Sequence, residues 1–273
     1  MKRRNLLLYS LLFIAGCTSV TNTSSVSQAK KLRFTVTDAL GIEELQRDYG
    51  ALQAALKEII QTEIELVPVE SYTAAASALQ SDQLDFVLTG PSEYVVMRAR
   101  TNAVPVIGIT RPNYRTVICV SSNSKIKSLS QLKDKKIAMW KIGSTSGYLG
   151  PTKLLIDAGL NPQSDVKILM LGSKGLPALQ KGEVDAWGGS YVKYEQFIQE
   201  QGLSENSLPV ISKGPLLPKD LFVASSQLNP ELVKQINSLL IANQEKIIQS
   251  LSSVEEGKYK GSTLVPVNDS EYD

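Results

Sequence analysis

From residue 31 onward, short apolar runs alternate with longer stretches in which apolar side chains recur every three or four positions. The runs "LRFTVT" (32–37), "IELVPV" (64–69), "LDFVL" (84–88) and "AVPVIGI" (103–109) have the length and β-branched content of buried strands. Between them the periodic stretches predict helices over about 45–60, from Ser71 or Tyr72 to Leu79, and from Pro91 to about Ala99. Alternation of this kind points to an α/β protein with largely parallel sheets.

The pattern pauses at Arg111-Pro112-Asn113 and begins again. Strands are expected at "RTVICV" (115–120), "KKIAMW" (135–140), "VKILML" (166–171), "VDAW" (184–187), "LPVIS" (208–212) and "LFVAS" (221–225). Helices are expected after Gly147, near Leu176 to Lys181, over Tyr191 to Gln201, and from Asn229 or Pro230 to about Leu251. Proline and glycine cluster a second time around Lys213 to Pro218. Two lobes follow, residues 31–112 plus 216–273 and residues 113–215. The last segment is too short to fold alone, so it returns to the first lobe and two chain crossings form a hinge.

One internal similarity supports two lobes of like build. "ALQSDQLDFVLTGPSEYVV" (78–96) and "ALQKGEVDAWGGSYVKYEQ" (178–196) share Ala-Leu-Gln, an aliphatic residue before Asp85 or Asp185, then small residues and a tyrosine. If the units are equivalent, the turns after Leu88 and Trp187 lie at corresponding strand C-termini, where open α/β sheets hold ligands. Chance likeness between amphipathic segments is the other reading.

The N-terminus changes the picture of charge and place. Lys2, Arg3 and Arg4 precede an apolar segment, Leu6 to Ile14, too short for a permanent membrane span, and Ala15-Gly16 suit a cleavage site. Residues 1–16 therefore read as an export signal and 17–30 as a solvated tether. "IAGC" resembles the lipobox of bacterial lipoproteins, which implies acylation of Cys17 and a lipid anchor on a bacterial membrane. The folded body then lies in the periplasm or outside the cytoplasmic membrane. Without the signal, 29 basic side chains fall to 26 against 27 acidic, a balance that argues against a nucleic-acid partner. Cys119, within "RTVICV", reads as a small core residue. The chain has no histidine, which removes histidine triads, imidazole zinc sites and the usual general base. No carboxylate cluster suggests a metal, no cofactor motif is present, and an enzyme is not expected.

Candidate chemistry concentrates in "MWKIGSTSGYL" (139–149). A nucleophile elbow would place Ser where Thr145 stands, and a P-loop would place Lys where Tyr148 stands. What survives is a helix N-terminus: Gly143 permits a sharp turn, and Ser144, Thr145 and Ser146 set hydroxyls beside unpaired N–H groups. Plain N-capping explains one hydroxyl but not three. Hydrogen bonds to a charged group are worth about 1.5–3 kcal/mol each, and micromolar binding needs about 8 kcal/mol, so four or five donors suffice. A second helix start, "TGPSEY" (89–94), offers Thr89 or Gly90 as cap and Tyr94 as a phenol donor, a core-facing aromatic being its other reading; Tyr72 is a weaker case. Trp140 and Trp187 either wall the cleft or belong to the core.

These motifs, together with "LSQLKDKKIAMWKIGSTSGYLGPTKLL", "LQKGEVDAWGGS" and "LVPVNDSEYD", resemble the substrate-binding component of phosphate, phosphite or phosphonate ABC importers. The resemblance implies a type 2 periplasmic binding protein fold, two α/β lobes closing on ligand. It implies capture of a small phosphorus oxyanion by Ser144, Thr145, Ser146 and Tyr94; Gly147, Thr89, Tyr72 and Ser190 complete the set of ligand contacts expected here. A histidine common in the family is replaced here by Gly172-Ser173-Lys174, making Lys174 or Ser173 its substitute. The acid that meets an ammonium tail is missing at Gly188-Gly189-Ser190-Tyr191, so the expected ligand is phosphite, methylphosphonate or phosphate. The implied partners are a permease and the membrane reached through Cys17, with the protein a monomer. An exported phosphoesterase, a binder of another anion and a sensor's binding protein are the alternatives.

Overall fold

The computed structural model describes residues 31–254 and 257–273; the export signal, the tether and Cys17 lie outside the described residues. The chain opens with β1 (Lys31–Val36), α1 (Ile42–Ile60), β2 (Glu63–Leu66), α2 (Ala74–Gln80), β3 (Phe86–Thr89), α3 (Pro91–Thr101) and β4 (Val104–Ile109). It continues through β5 (Arg115–Val120), β6 (Lys136–Met139), α4 (Gly150–Asp157), β7 (Lys167–Met170), α5 (Gly175–Gln180), β8 (Ala186–Ser190), α6 (Tyr191–Glu200) and β9 (Val210–Leu216). It closes with β10 (Asp220–Ala224), α7 (Pro230–Ala242), α8 (Gln244–Ser250) and a short β11 (Leu264–Val265).

The strands form two sheets, ordered β11-β4-β10-β3-β1-β2 and β7-β6-β8-β5-β9. The chain passes between them twice, at 110–114 and 217–219. Each crossing strand enters the middle of the sheet it reaches. β5 lies antiparallel between β8 and β9, and β10 lies antiparallel between β3 and β4. The sheets are therefore mixed rather than largely parallel, because a strand arriving from the other lobe runs against those built by local strand-helix-strand units.

The two internal units occupy matching places. β1 pairs in parallel with β2 and β3, as β6 does with β7 and β8. Just before β3, the Asp85 carboxylate accepts from the Arg33 N–H at 2.7 Å; just before β8, Asp185 accepts from the Lys136 N–H at 2.8 Å. Each aspartate clips the start of its strand to the neighbouring strand, a physical reason for the acid at that point of the repeat.

Each sheet is buried on both faces. In the first lobe α1, α7 and α8 cover one side, where Phe34, Phe86 and Phe222 sit with ring centroids 5.2–6.4 Å apart. Burying each such ring contributes about 1.5–3 kcal/mol. α2 and α3 cover the other side; in the second lobe, α5 and α6 face α4 across the sheet.

Three elements differ from the sequence pattern. The strand expected over 184–187 runs instead from Ala186 to Ser190, since the two glycines leave the backbone free to pair with β5. The strand expected at 208–212 extends to Leu216 through Pro215 on the sheet edge, a place where proline is tolerated. The long C-terminal helix breaks at Asn243, whose Nδ2 donates to Leu239 O at 2.8 Å and competes with the helical ladder.

Candidate anion-binding site

The C-terminal ends of β1, β3, β6 and β8 meet between the sheets. Asp38 follows β1, Gly90 follows β3, Trp140 follows β6 and Ser190 closes β8, and all four line one cavity. Its space for the centres of water-sized spheres is about 50 Å³, against about 10–15 Å³ for one water. That is room for a handful of heavy atoms.

Gly143, at φ +95°, turns the chain after Trp140, a conformation that glycine adopts without strain. Ser144 then takes the N-cap position, its Oγ accepting from the Gly147 N–H at 3.3 Å. Residues Thr145–Leu149 form one π-helical turn, with Leu149 N–H donating to Ser144 O at 2.9 Å, and lead into α4. The N–H groups of Thr145 and Ser146 precede any intrahelical acceptor. Thr116 Oγ donates to Ser146 O at 3.1 Å and ties this turn to β5.

Hydrogen bonds cross from this turn to the first lobe. Ser92, in the first turn of α3, places its Oγ 2.7 Å from Thr145 Oγ and donates to Gly143 O at 3.0 Å. Trp140 Nε1–H donates to Tyr72 Oη at 3.0 Å. The lobes are thus joined over the cavity by neutral polar contacts.

The floor is charged. Lys258 pairs with Asp38 and, at 3.2 Å, with Asp220; Arg111 reaches Asp220 at 3.2 Å and stacks on Tyr114, its guanidinium carbon 3.6 Å from the ring centre. Tyr49 donates to Asp38 and Tyr259 to Asp220, each at 2.9 Å. Burial alone would lower the Lys258 ammonium, but Asp38 and Asp220 outweigh it and hold it well above its usual range. Burial would likewise raise Asp38, yet Lys258 and the Tyr49 bond keep it low. Two cations and two anions cancel within this group. Glu93, 4 % exposed, is the remaining acid on the wall, and burial pushes it up to about 7.

Two buried donors in the wall have no protein partner: Ser190 Oγ and Arg111 Nε. Ser190 sits at the N-cap position of α6 but makes no capping bond. Such groups cost about 1–3 kcal/mol each when left unpaired. Together with Ser144 and the first N–H groups of the Thr145 turn, they are arranged to receive an acceptor-rich guest.

Of the residues singled out in the sequence, Tyr72, Ser144, Thr145, Ser146, Gly147 and Ser190 lie in the cavity wall, as do Trp140 and Trp187. Tyr94, Thr89 and Lys174 do not. Tyr94 is fully buried behind the site: its ring meets Tyr272 edge-on at 5.0 Å and its hydroxyl donates to Asp269 at 2.5 Å. The core-facing reading of this tyrosine is the one the packing realises. Thr89 Oγ lies 3.1 Å from Thr37 Oγ, between β3 and β1. Lys174 lines an outer groove with Glu44, Arg47 and Lys141. In its stead, Lys193 of α6 reaches the cavity wall, its Nζ 3.9 Å from the Trp140 ring centre.

Asp38, Glu93, Arg111, Tyr114, Lys193, Asp220 and Lys258 were not singled out in the sequence, although Glu93 stands inside "TGPSEY". They come from segments up to 220 residues apart, as between Asp38 and Lys258. The available signals were weak: a charged Arg111 in the first crossing, and an acid, Asp220, at the head of an otherwise apolar strand. Among the described residues, no group of three or more His, Cys, Asp or Glu is placed to hold a metal ion.

Comparison with known proteins places these features in context. A family model described as "ABC transporter, phosphonate, periplasmic substrate-binding protein" matches residues 34–272. The phosphate-import protein PhnD of Mycolicibacterium smegmatis is 23% identical over 258 residues, covering 84% of this chain and 79% of that one. A probable ABC transporter phosphite-binding protein, PhnD1 of Prochlorococcus marinus, is 28% identical over 159 residues, covering 55% of this chain and 52% of that one. The structure of P. marinus PhnD1 in complex with methylphosphonate superposes with a TM-score of 0.72 at 19% identity, covering 89% of this chain and 95% of that one. A fold of two lobes with matched sheet order, and a family match over nearly all the described residues, make this chain a member of the periplasmic substrate-binding proteins of phosphonate ABC transporters.

Proposed function

We propose that the protein captures a small phosphorus oxyanion, phosphite, methylphosphonate or phosphate, in the cavity between its lobes and delivers it to the permease of an ABC importer. The observation that carries this reading is the pair of partnerless buried donors, Ser190 Oγ and Arg111 Nε, on residues that line the same small cavity as the Ser144 turn. An oxyanion brings acceptors to a wall that holds such donors, and the neutral ion group beneath adds no net repulsion. Ser144, Thr145, Ser146 and Ser190 are the proposed ligand contacts, with Tyr72 closing over them from the first lobe. The proposed lobes are residues 31–112 with 216–273, and 113–215, opening and closing about the two crossings. The protein is read as a non-catalytic monomer held to a membrane through lipid on Cys17.

One observation favours a second ligand type. Glu93 brings an acid into the wall from the "TGPSEY" helix start, where the sequence pointed to Tyr94 instead, and among the described residues it makes no ion pair. An aminoalkyl phosphonate would bring an ammonium to it, although the cavity volume speaks for the smaller ligands. Titration calorimetry with phosphite, methylphosphonate, phosphate, sulfate and 2-aminoethylphosphonate decides between these. Tightest binding of a small phosphorus oxyanion is expected. A preference for the amino compound selects the second reading, and no binding of any of them refutes both.

A further inference from the structure

Glu93 stands at the third position of α3, with its carboxylate folded back toward the N-terminus of the helix. The space it fills exists because residue 90 is glycine; a Cβ there would lie 2.8 Å from Glu93 Oε2. The group is therefore built into the cavity wall rather than swung into it by chance.

Around Ser92 Oγ stand three oxygens: Glu93 Oε2 at 2.8 Å, Gly143 O at 3.0 Å and Thr145 Oγ at 2.7 Å. A serine hydroxyl carries one proton. While Glu93 is ionised, its carboxylate and the Gly143 carbonyl compete for that proton, and the charged acceptor wins. The Gly143 carbonyl, which belongs to the opposite lobe, then has no donor from Ser92. If Glu93 carries a proton, the conflict disappears: the carboxyl donates to Ser92, Ser92 donates to Gly143 O across the cleft, and Thr145 donates to the remaining lone pair of Ser92 Oγ from the opposite lobe.

The placement of charge points the same way. The ionisable groups that share the cavity with Glu93 are Asp38 and Asp220, Arg111 and Lys258, Lys193 on α6, and the phenols of Tyr72 and Tyr114. Asp38 and Asp220 are matched by Lys258 and Arg111, and the other two charges, Glu93 and Lys193, stand on opposite lobes, the ammonium over the Trp140 ring. An ionised Glu93 would leave a buried negative charge beside any anion that entered.

We propose that Glu93 takes up a proton when the cavity captures an oxyanion, and that the neutral carboxyl, through Ser92, latches the lobes over the ligand. This rests on the reading of the cavity as an anion site. The proton comes from the buffer and no other bond changes. Burial already brings the carboxyl to about 7, with Ser92 and the residue's own N–H opposing and Asp220 and Asp38 adding to the rise. Capture is then fully supported below about pH 7 and weakens about tenfold per pH unit above it.

The test compares the protein with Glu93→Gln, whose amide donates to Ser92 without titrating, using methylphosphonate as probe and calorimetry from pH 5.5 to about 9. The ligand's own titration is common to both proteins, so the ratio of their Kd values isolates Glu93. A ratio that widens about tenfold per pH unit above about 7 supports the proposal. Equal pH profiles in two proteins that both bind overturn it and leave the anion site standing. Failure of both folded proteins to bind any phosphorus oxyanion at any pH overturns the anion site and this proposal with it. Should the variant not fold, infrared difference spectra of the unaltered protein at pH 8.5 serve instead. A protonated-carboxyl band must appear on adding methylphosphonate, which has no carboxyl of its own, and its absence overturns the proposal.

Discussion

Replacing Ser190 with alanine separates a ligand contact from a structural one, because the two roles predict opposite signs. Ser190 is 3 % exposed, and its buried hydroxyl has no hydrogen-bond partner among the described residues and makes no capping bond to α6. Removing it from the empty protein deletes an unpaired buried polar group while keeping the Cβ. Unfolding free energy should be unchanged or rise by about 1 kcal/mol, the lower end of the penalty for such groups. With ligand present, the same hydroxyl donates to an anion, worth about 1.5–3 kcal/mol, so Kd should weaken about ten- to hundred-fold. The two quantities are read by urea denaturation without ligand and by calorimetry with methylphosphonate. A variant that loses more than about 1 kcal/mol of stability and binds as before would show the hydroxyl to be structural, and would remove the main support for the proposed contacts.

Ser144→Ala should lose on both counts, about 0.5–2 kcal/mol of stability from its capping bond and a comparable weakening of binding, measured in the same two assays. Tyr94→Phe should lower unfolding free energy by about 1 kcal/mol through the lost bond to Asp269 and leave Kd unaltered; a large rise in Kd would contradict its placement behind the cavity. Asp220→Asn should destabilise the protein by about 3–5 kcal/mol, since Arg111 and Lys258 lose a shared carboxylate in a buried setting. The empty protein should lose about 3 kcal/mol of stability as pH rises from about 4.5 to about 7, because Glu93 holds its proton more tightly folded than unfolded; a pH series of urea midpoints should show this fall flattened in Glu93→Gln. The depressed Asp38 works in the opposite sense, its contribution being present above about pH 4 and lost on further acidification.

Local order was already written in the chain. The alternation of apolar runs and helical periodicity yields both lobes' strands and helices to within a few residues, because burial on both sheet faces demands continuous apolar runs and amphipathic covers. The Asp85 and Asp185 units, one hundred positions apart, disclose the matched build of the lobes for a local reason: each acid binds the backbone of the strand beside it. The Ser144 turn is equally local, since its glycine, cap and helix are consecutive.

Tertiary structure alone decided what stands opposite that turn. Whether Tyr94 faces ligand or core depended on the C-terminal segment, which brings Asp269 to its hydroxyl from 175 residues away. The ion group of Asp38, Arg111, Asp220 and Lys258 exists only because the chain crosses between the sheets and returns, carrying β10 and the segment behind it to the floor of the cavity. Spacing within a helix or strand repeats every few residues and can be read directly. Charges that neutralise one another across such distances leave no period behind, so only the folded arrangement shows Glu93 as a cavity-wall acid that makes no ion pair among the described residues.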